Sequence, residues 1–180
     1  LVMKKEKYCK THLILGGARA GKTKFAQNLA LKLSKDRKKP PIYIATAQAL
    51  DPEMEERIKL HKTDRGKDFQ TKECPLNLSD PLLSASSEDI LLVDCLTLFV
   101  SNLLCAEKFD ENQITSFSNA IKLTKAQLII VSNETGMGIV PDNKLTRDFR
   151  DISGNLNQKV AQMADKVTLM VAGIPVQIKN

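Results

Sequence analysis

The sequence predicts an α/β domain built on a mostly parallel sheet with helices on both faces. Its candidate strands, at residues 42–45, 90–94 and 128–131, are continuous apolar runs rather than alternating ones. Such runs are typical of strands buried on both faces of a parallel sheet. Amphipathic stretches with apolar residues at steps of three or four lie between them. At 180 residues, 42% of them hydrophobic, the chain fits one compact domain.

The elements follow in order along the chain. A strand is expected at residues 12–15, a helix at 22–36, a strand at 42–45, helices opening at Asp51-Pro52 and at Ser79-Asp80-Pro81, a strand at 90–94, an apolar helix at 96–104, a helix through 114–121, a strand at 128–131 and a long helix through 145–163. Phe25, Leu29 and Leu33 recur every four residues and form the stripe of the first helix. Asp favours the N-cap and Pro the first turn, which is why Asp-Pro pairs mark helix starts.

The last two strands are predicted to form a hairpin. Residues 167–171 and 176–178 are short apolar runs separated by Ala172-Gly173-Ile174-Pro175. So short a connection joins antiparallel strands, whereas parallel strands need a long crossover. We therefore expect an antiparallel C-terminal strand on the otherwise parallel sheet.

Composition narrows the classes of function. The formal net charge is +6, and much of the excess lies in residues 4–10 and 35–39. Aromatic residues make up only 4% and Trp is absent, so surfaces for base stacking are scarce. No apolar stretch approaches the roughly 18 residues that span a bilayer, and no C-x-x-C pair suggests structural zinc. We expect a cytoplasmic protein without nucleic-acid partner or stable membrane insertion, with a polar tail at residues 1–10 and one domain at 11–180.

A phosphate-binding loop follows the first strand. Gly16-Gly17-Ala18-Arg19-Ala20-Gly21-Lys22-Thr23 fits the pattern G-x-x-x-x-G-K-[ST]. Glycines allow several backbone N–H groups to face phosphates at once, and the following helix adds its positive dipole end. Lys22 would reach the β- and γ-phosphates, and the Thr23 hydroxyl would ligate Mg²⁺. Asp94 ends an apolar strand, where its carboxylate would hold the hydration shell of the metal. These residues predict phosphoryl transfer from, or hydrolysis of, a nucleoside triphosphate.

His61 has two interpretations. It shares a helix face with Met54 and Ile58, because the three lie at i, i+4 and i+7. In the first interpretation its ring packs against the core. In the second, a neutral imidazole attacks an α-phosphorus, displaces pyrophosphate and forms a phosphoramidate. The residues alone leave this open.

Segments in both halves of the chain resemble one enzyme family, that of adenosylcobinamide kinase/adenosylcobinamide-phosphate guanylyltransferase. The resemblance runs roughly from residue 13 to residue 179, and the phosphate loop alone would be shared with many other enzymes. The matching segments are Gly16 to Thr23, Tyr43-Ile44-Ala45-Thr46-Ala47-Gln48, Asp51-x-Glu53-Met54-x-x-Arg57-Ile58-x-x-His61-x-x-x-Arg65, Asn133-Glu134-Thr135-Gly136-Met137-Gly138-Ile139-Val140-Pro141, Arg147-x-Phe149-Arg150-Asp151 and Asn157-Gln158.

The resemblance implies a P-loop (RecA-like) domain and a bifunctional enzyme of cobalamin biosynthesis. Such an enzyme phosphorylates adenosylcobinamide with ATP or GTP and then transfers GMP from GTP to give adenosylcobinamide-GDP. The guanylyl group would pass through His61, which acts alone here because Leu60 stands where some relatives have a second histidine. The resemblance also implies a homo-oligomer, with a trimer as the expected form.

The same resemblance implies the residues of the site. Lys22 and His61 would be catalytic, Thr23 and Asp94 would hold Mg²⁺, and His12 would be structural. The implied nucleotide contacts are Gly16, Gly17, Ala18, Arg19, Ala20, Gly21, Lys22, Thr23, Thr46, Ala47, Gln48, Lys62, Thr63, Asp64, Arg65, Glu73 and Asp94. The family commonly ends its loop in Ser-Gly-Lys-Ser, but Thr23 keeps the hydroxyl that a metal needs. Asp94 stands where some members have Glu, one methylene longer.

Two other classes of function fit the residues. One is a P-loop small-molecule kinase with a single activity, in which His61 only packs. The other is a RecA-like ATPase stimulated by nucleic acid, which the positive charge would suit. A separate question concerns the apolar segment at residues 96–104, which exceeds the needs of one helix face and predicts either a subunit contact or a fully buried helix.

Overall fold

The computed structural model describes residues 9–37, 39–107 and 109–180. Its elements are β1 (Thr11–Gly16), α1 (Lys22–Ser34), β2 (Ile42–Ala45), α2 (Pro52–Arg65), β3 (Gln70–Glu73), α3 (Ser79–Leu83), β4 (Ile90–Asp94), α4 (Leu96–Cys105), α5 (Glu111–Leu123), β5 (Gln127–Val131), α6 (Lys144–Met163), β6 (Lys166–Val171) and β7 (Ile174–Lys179). The strands form one sheet in the order β3-β2-β4-β5-β1-β6-β7. Each neighbouring pair is parallel except β6 and β7, which are antiparallel. The predicted fold class and C-terminal hairpin are confirmed.

Helices cover both faces of this sheet. On one face, Ala26 and Ala30 of α1 pack with Ile129 of β5. On the other, a larger cluster joins α3, α4, α5 and α6 to the sheet, with Phe99 and Phe117 fully buried at its centre. Burial of these apolar side chains, at roughly 25 cal/mol per Å² of apolar surface, is the main favourable term in the folding of such a domain.

The apolar segment at residues 96–104 forms α4, and its large side chains serve the core of the chain itself. Leu96, Phe99, Val100 and Leu103 are each at most 1% exposed. A side chain already buried within one chain has no surface left to offer a second subunit. The structure therefore favours the buried-helix interpretation over the subunit contact.

The sequence pattern misses one strand and predicts the start of one short helix. The strand Gln70–Glu73 carries only polar, exposed side chains, so no apolar run announces it, and backbone pairing with β2 defines it as an edge strand. The short helix α3 begins at Ser79, because Asn77 Oδ1 accepts bonds from the amides of Ser79 and Asp80 at 2.9 and 3.3 Å. The helix therefore starts at the expected Ser79-Asp80-Pro81, with Leu78 as its N-cap.

Residues 1–8 of the predicted polar tail lie outside the described residues. Lys10 is joined to the domain, since its amide donates to Asp165 Oδ2 at 2.9 Å and its Nζ donates to the Lys122 carbonyl at 3.1 Å. Lys10, predicted from the sequence to lie in the tail, is thus hydrogen-bonded to the domain. Within the described ranges, no helix has both the length and the apolar character needed to cross a membrane.

His12 lies inside β1, on the sheet rather than at its functional edge. It is 9% exposed, and its Nε2 lies 2.7 Å from Thr168 Oγ1 of β6. Burial, followed by the charge of Lys166, lowers the pKa of His12 from 6.5 to about 4. His12 is therefore neutral at pH 7 and packs as part of the sheet, in agreement with a structural role.

We expect the free energy of unfolding to fall as the pH drops from 6.5 towards 4. The unfolded chain takes up a proton on His12 in this range and the folded chain does not, so protons favour unfolding. The full loss should reach roughly 3 kcal/mol below the folded-state pKa. Thermal unfolding of the wild type and a His12→Gln variant across this range measures it. The variant should lose less stability on acidification, and equal losses would contradict the prediction.

Candidate active site

The phosphate-binding loop connects β1 to α1 at the carboxyl edge of the sheet. Gly16 and Gly21 have φ values of +150° and +90°, which side-chain-bearing residues rarely adopt. A Cβ on Gly16 would lie 2.5 Å from the Met170 carbonyl oxygen, so no larger residue fits there. Lys22 Nζ donates to the Gly17 carbonyl at 2.5 Å, which holds this side chain over the loop. The loop therefore has the backbone shape that phosphate binding requires.

Two hydroxyl groups converge on the carboxylate of Asp94. Asp94 Oδ2 accepts a hydrogen bond from Thr23 Oγ1 at 2.8 Å and another from the Tyr43 hydroxyl at 2.7 Å. The strand register explains the meeting, because Asp94 lies opposite Ala45 at the carboxyl end of β2. The predicted pair Thr23 and Asp94 is thus adjacent beside the loop. A hydroxyl and a carboxylate are oxygen donors of the kind that Mg²⁺ prefers, so the residues fit this ion.

Tyr43 links that carboxylate to α2. The Arg65 guanidinium carbon lies 3.9 Å from the centre of the Tyr43 ring, a cation–π contact. Burial, together with the charge and hydrogen bond of Asp94, raises the pKa of Tyr43 far above its usual value, so its hydroxyl remains a donor. Arg65 is 6% exposed, and its buried Nε lacks a hydrogen-bond partner. The C-terminal end of α2 therefore contacts Tyr43, one of the two side chains that donate hydrogen bonds to Asp94.

Replacing Tyr43 with Phe should weaken the use of Mg²⁺. Phe keeps the ring beneath Arg65 but removes the donor that orients Asp94. Loss of a hydrogen bond to a charged group corresponds to about a tenfold change in a binding constant. The Mg²⁺ concentration that gives the half-maximal kinase rate should therefore rise by about tenfold. Initial rates measured against Mg²⁺ concentration test this, with Phe69→Leu as a control that changes the other aromatic neighbour of Tyr43. An unchanged Mg²⁺ dependence would leave Tyr43 without a positioning role.

The other nucleotide residues expected on α2 are spread around its last two turns. His61 is half-buried, one turn before Arg65. Lys62 Nζ lies 2.7 Å from Glu73 Oε1 on β3, and this hydrogen-bonded ion pair lowers the pKa of Glu73. Thr63 Oγ1 donates to the Lys59 carbonyl at 3.0 Å within the helix. The Asp64 side chain lies outside the described residues. The structure thus brings Lys62, Glu73 and Arg65 to the β2–β3 side of the site.

Thr46 supports the sheet edge rather than facing solvent. It is fully buried, and its hydroxyl both donates to the Cys95 carbonyl at 2.8 Å and accepts from the Cys95 amide at 2.7 Å. The nucleotide contact that the resemblance implied for Thr46 stays a prediction, and its hydroxyl is already bonded to the backbone of Cys95. Ala47 and Gln48 are half-buried and reach the surface. A nucleotide contact at these two residues stays a prediction.

Several groups that hold the site together carry no sequence signal of their own. Glu134 N donates to the Gly16 carbonyl at 3.0 Å and Gly173 N to the Ala20 carbonyl at 3.2 Å, so loops from distant parts of the chain support the phosphate loop. Asn102 Nδ2 donates to the Thr46 carbonyl at 2.7 Å. For Tyr43 a signal existed, because a phenol in an apolar strand needs a hydrogen-bond partner.

The sequence matches a known family and its members. The chain matches the family model described as cobinamide kinase / cobinamide phosphate guanyltransferase over residues 12–178. It is 40% identical over 184 residues to the bifunctional adenosylcobalamin biosynthesis protein CobU of Salmonella typhimurium, covering 93% of this chain and 98% of that protein. It is 42% identical over 173 residues to the bifunctional adenosylcobalamin biosynthesis protein CobP of Pseudomonas aeruginosa, covering 93% and 96%.

A solved structure supports the fold. The flagellar accessory protein FlaH from Methanocaldococcus jannaschii superposes with a TM-score of 0.51 and 12% identity, over 94% of this chain and 78% of FlaH. At that identity the likeness concerns the P-loop (RecA-like) architecture alone. The family match spans nearly all of the described residues, and the bacterial relatives match over almost their whole length. The chain therefore belongs to the cobinamide kinase / cobinamide phosphate guanyltransferase family, whose members are transferases of adenosylcobalamin biosynthesis.

Proposed function

We propose that this chain carries out both family reactions on adenosylcobinamide with Mg²⁺: phosphorylation by ATP or GTP, then transfer of GMP from GTP to the new phosphate. The observation that carries the proposal is the convergence of Thr23 and Tyr43 on Asp94 beside the phosphate loop. That cluster provides a metal-binding pair next to the position of the phosphates. Family membership supplies the acceptor.

In the kinase reaction the chain would act by positioning and by neutralising charge. The acceptor hydroxyl attacks the γ-phosphorus, the bond from that phosphorus to the bridging oxygen breaks, and the nucleoside diphosphate leaves. Lys22 would exchange its bond to the Gly17 carbonyl for the β- and γ-phosphates. Thr23 and Asp94 would hold Mg²⁺, which neutralises the charge that develops on the phosphates.

In the guanylyl transfer, His61 would be the nucleophile. A ring nitrogen attacks the α-phosphorus, and pyrophosphate leaves. An oxygen of cobinamide phosphate then attacks the same phosphorus, and the P–N bond breaks. His12, the other histidine, is buried in β1, and burial and Asp94 raise the pKa of the neighbouring Cys95 to about 11, so that thiol is protonated. His61 is half-buried on α2, the helix whose last residue contacts Tyr43 beside Asp94, and this supports its assignment as the nucleophile.

The nucleotide contacts of this reaction would come from the phosphate loop and the α2 side of the site. Lys62, Arg65 and Glu73 are held there by the contacts described above, and Gln48 reaches the surface at the end of β2. Arg65 Nε, buried and without a partner, is a donor that a bound nucleotide could satisfy.

We also infer a homo-oligomer, a trimer being the expected form. With α4 buried, the support comes instead from β7, an edge strand whose Ile174, Val176 and Ile178 are 65%, 45% and 58% exposed. An exposed apolar edge strand is a surface that proteins usually cover. Sedimentation of the wild type and an Ile178→Lys variant tests this, because the charge should shift the protein towards a smaller species.

Radioactive GTP separates the proposed function from its alternatives. Label in the α-phosphate should become bound to the protein and pass to cobinamide phosphate, and label in the γ-phosphate should pass to adenosylcobinamide. Transfer of the γ-label alone would indicate a kinase with a single activity. Hydrolysis that depends on nucleic acid, without transfer of either label, would indicate the RecA-like ATPase and would refute the proposal.

A further inference from the structure

We propose that the corrinoid acceptor binds in a cavity, open to solvent, between α6 and the loop that follows β5, with Gly154 in its lining; the inference rests on the proposed function. The cavity has a volume of about 480 Å³ and is lined by Gly136, Arg150, Asp151, Gly154, Asn155 and Gln158. None of these residues belongs to the nucleotide site described above. Three independent features point to an acceptor there.

The first feature is a glycine that the fold does not need. Gly154 lies in the middle of the 20-residue helix Lys144–Met163. Glycine at such a position destabilises a helix by about 1 kcal/mol relative to alanine. A Cβ on Gly154 would meet no heavy atom within 4 Å, so no neighbour in the chain excludes a side chain. What a side chain would occupy is the space of the cavity, which indicates that the space itself has a use.

The second feature is the position of the cavity. Glu134 N donates to the Gly16 carbonyl at 3.0 Å, and Glu134 Oε1 accepts from the amide of Gly136 at 2.7 Å. Asn157 Nδ2 of α6 donates to the Asn133 carbonyl at 3.1 Å and ties the helix to the same loop. One short segment thus separates the cavity from the phosphate loop. Ligands of α/β sheets bind at this carboxyl edge, where a second substrate must lie to receive a phosphate.

The third feature is the chemistry of the lining. Arg150 and Asp151 form an ion pair at 3.0 Å and neutralise each other, and Asn155 and Gln158 contribute exposed side-chain amides. Carboxamides both donate and accept hydrogen bonds, as do the amide groups around a corrin ring. A lining of this kind can bind neutral amides without leaving an unpaired charge. It suits the corrinoid better than a second nucleotide.

The loop beside the cavity adds an apolar surface. Met137, Ile139 and Val140 follow directly on Gly136 and are 80%, 96% and 64% exposed. Apolar side chains beside a few convergent polar groups are typical of small-molecule sites. The macrocycle would lie against this loop while its amide edge enters the cavity and its aminopropanol arm extends towards the phosphate loop.

Equilibrium dialysis of adenosylcobinamide against the full chain, with a non-hydrolysable GTP analogue present, tests the inference. Gly154→Leu should weaken corrinoid binding by about tenfold or more, because the side chain fills the cavity. Affinity for the GTP analogue should not change. Gly154→Ala should weaken corrinoid binding less and raise the thermal midpoint. Lys159→Leu, an exposed position on the same helix that does not line the cavity, should bind as the wild type does.

Three outcomes would overturn the inference. One is a folded Gly154→Leu variant with wild-type corrinoid affinity. Another is a shift of that variant to a smaller species in sedimentation, which would assign the cavity to a second copy of this chain. If Gly154→Leu does not fold, the affinity of a Gln158→Leu variant, changed at the exposed rim of the cavity, is measured instead. Wild-type corrinoid affinity of that variant is the third outcome. A wild type that binds the corrinoid in the cavity but transfers no phosphate would contradict the proposed function and leave the cavity assignment standing.

Discussion

Lys22→Ala should abolish the kinase and guanylyltransferase activities together. Both reactions start from a bound triphosphate, and Lys22 Nζ is held over the loop that would bind it. Loss of this charge beside the β- and γ-phosphates should lower turnover by about 10²-fold or more, as removal of an electrostatic stabiliser does in other enzymes. Both rates can be followed with γ- and α-labelled GTP in one preparation.

The matched control for this change is Lys24→Ala, which removes an exposed lysine from the same helix. Both activities should survive it, since Lys24 lies outside the loop. A Lys22→Ala protein that binds GTP normally and still transfers GMP at the wild-type rate would show that the two reactions do not share this phosphate loop.

His61→Asn should remove covalent labelling by α-labelled GTP while γ-phosphoryl transfer to adenosylcobinamide persists at least in part. Kinase chemistry needs positioning and charge neutralisation, whereas a relayed guanylyl transfer needs a nitrogen nucleophile. Gel-based detection of the labelled protein measures the first reaction, and labelled cobinamide phosphate measures the second. The intermediate should be labile in acid and stable in base, as a phosphoramidate is.

His12→Gln is the control for that experiment, because His12 and His61 are the two histidines of the sequence. His12 is buried between β5 and β6, so its replacement should leave labelling intact. Undiminished labelling of His61→Asn would mean that another residue carries the GMP.

Much of the fold can be predicted because apolar runs and helix stripes are local patterns. The pairing of Thr23 with Asp94 could also be predicted from the sequence. Thr23 follows β1 and Asp94 ends β4, and the carboxyl ends of parallel strands meet at one edge of the sheet. The strand Gln70–Glu73 was not, because backbone pairing alone defines it and its side chains are polar and exposed.

Contacts between distant segments set the rest of the site, and local pattern does not encode them. The bond from Tyr43 to Asp94 depends on the register that places Ala45 opposite Asp94. Thr46 was assigned to the nucleotide by resemblance, but its hydroxyl is satisfied by the backbone of Cys95. The cavity at Gly154 depends on how α6 lies against the loop after β5.

The contact of Arg65 with Tyr43 gives the two chemistries a thermodynamic connection. The helix that carries His61 ends at Arg65, which contacts the ring of Tyr43, and the Tyr43 hydroxyl donates to the carboxylate of Asp94. If Asp94 binds the ion as proposed, a ligand that shifts Arg65 would change the free energy of ion binding there. By linkage, an ion bound there changes affinity at the helix by the same factor. Guanylylation of His61, if it occurs as proposed, and occupancy of the phosphate loop would then be coupled equilibria, so that loading one site would change the affinity of the other.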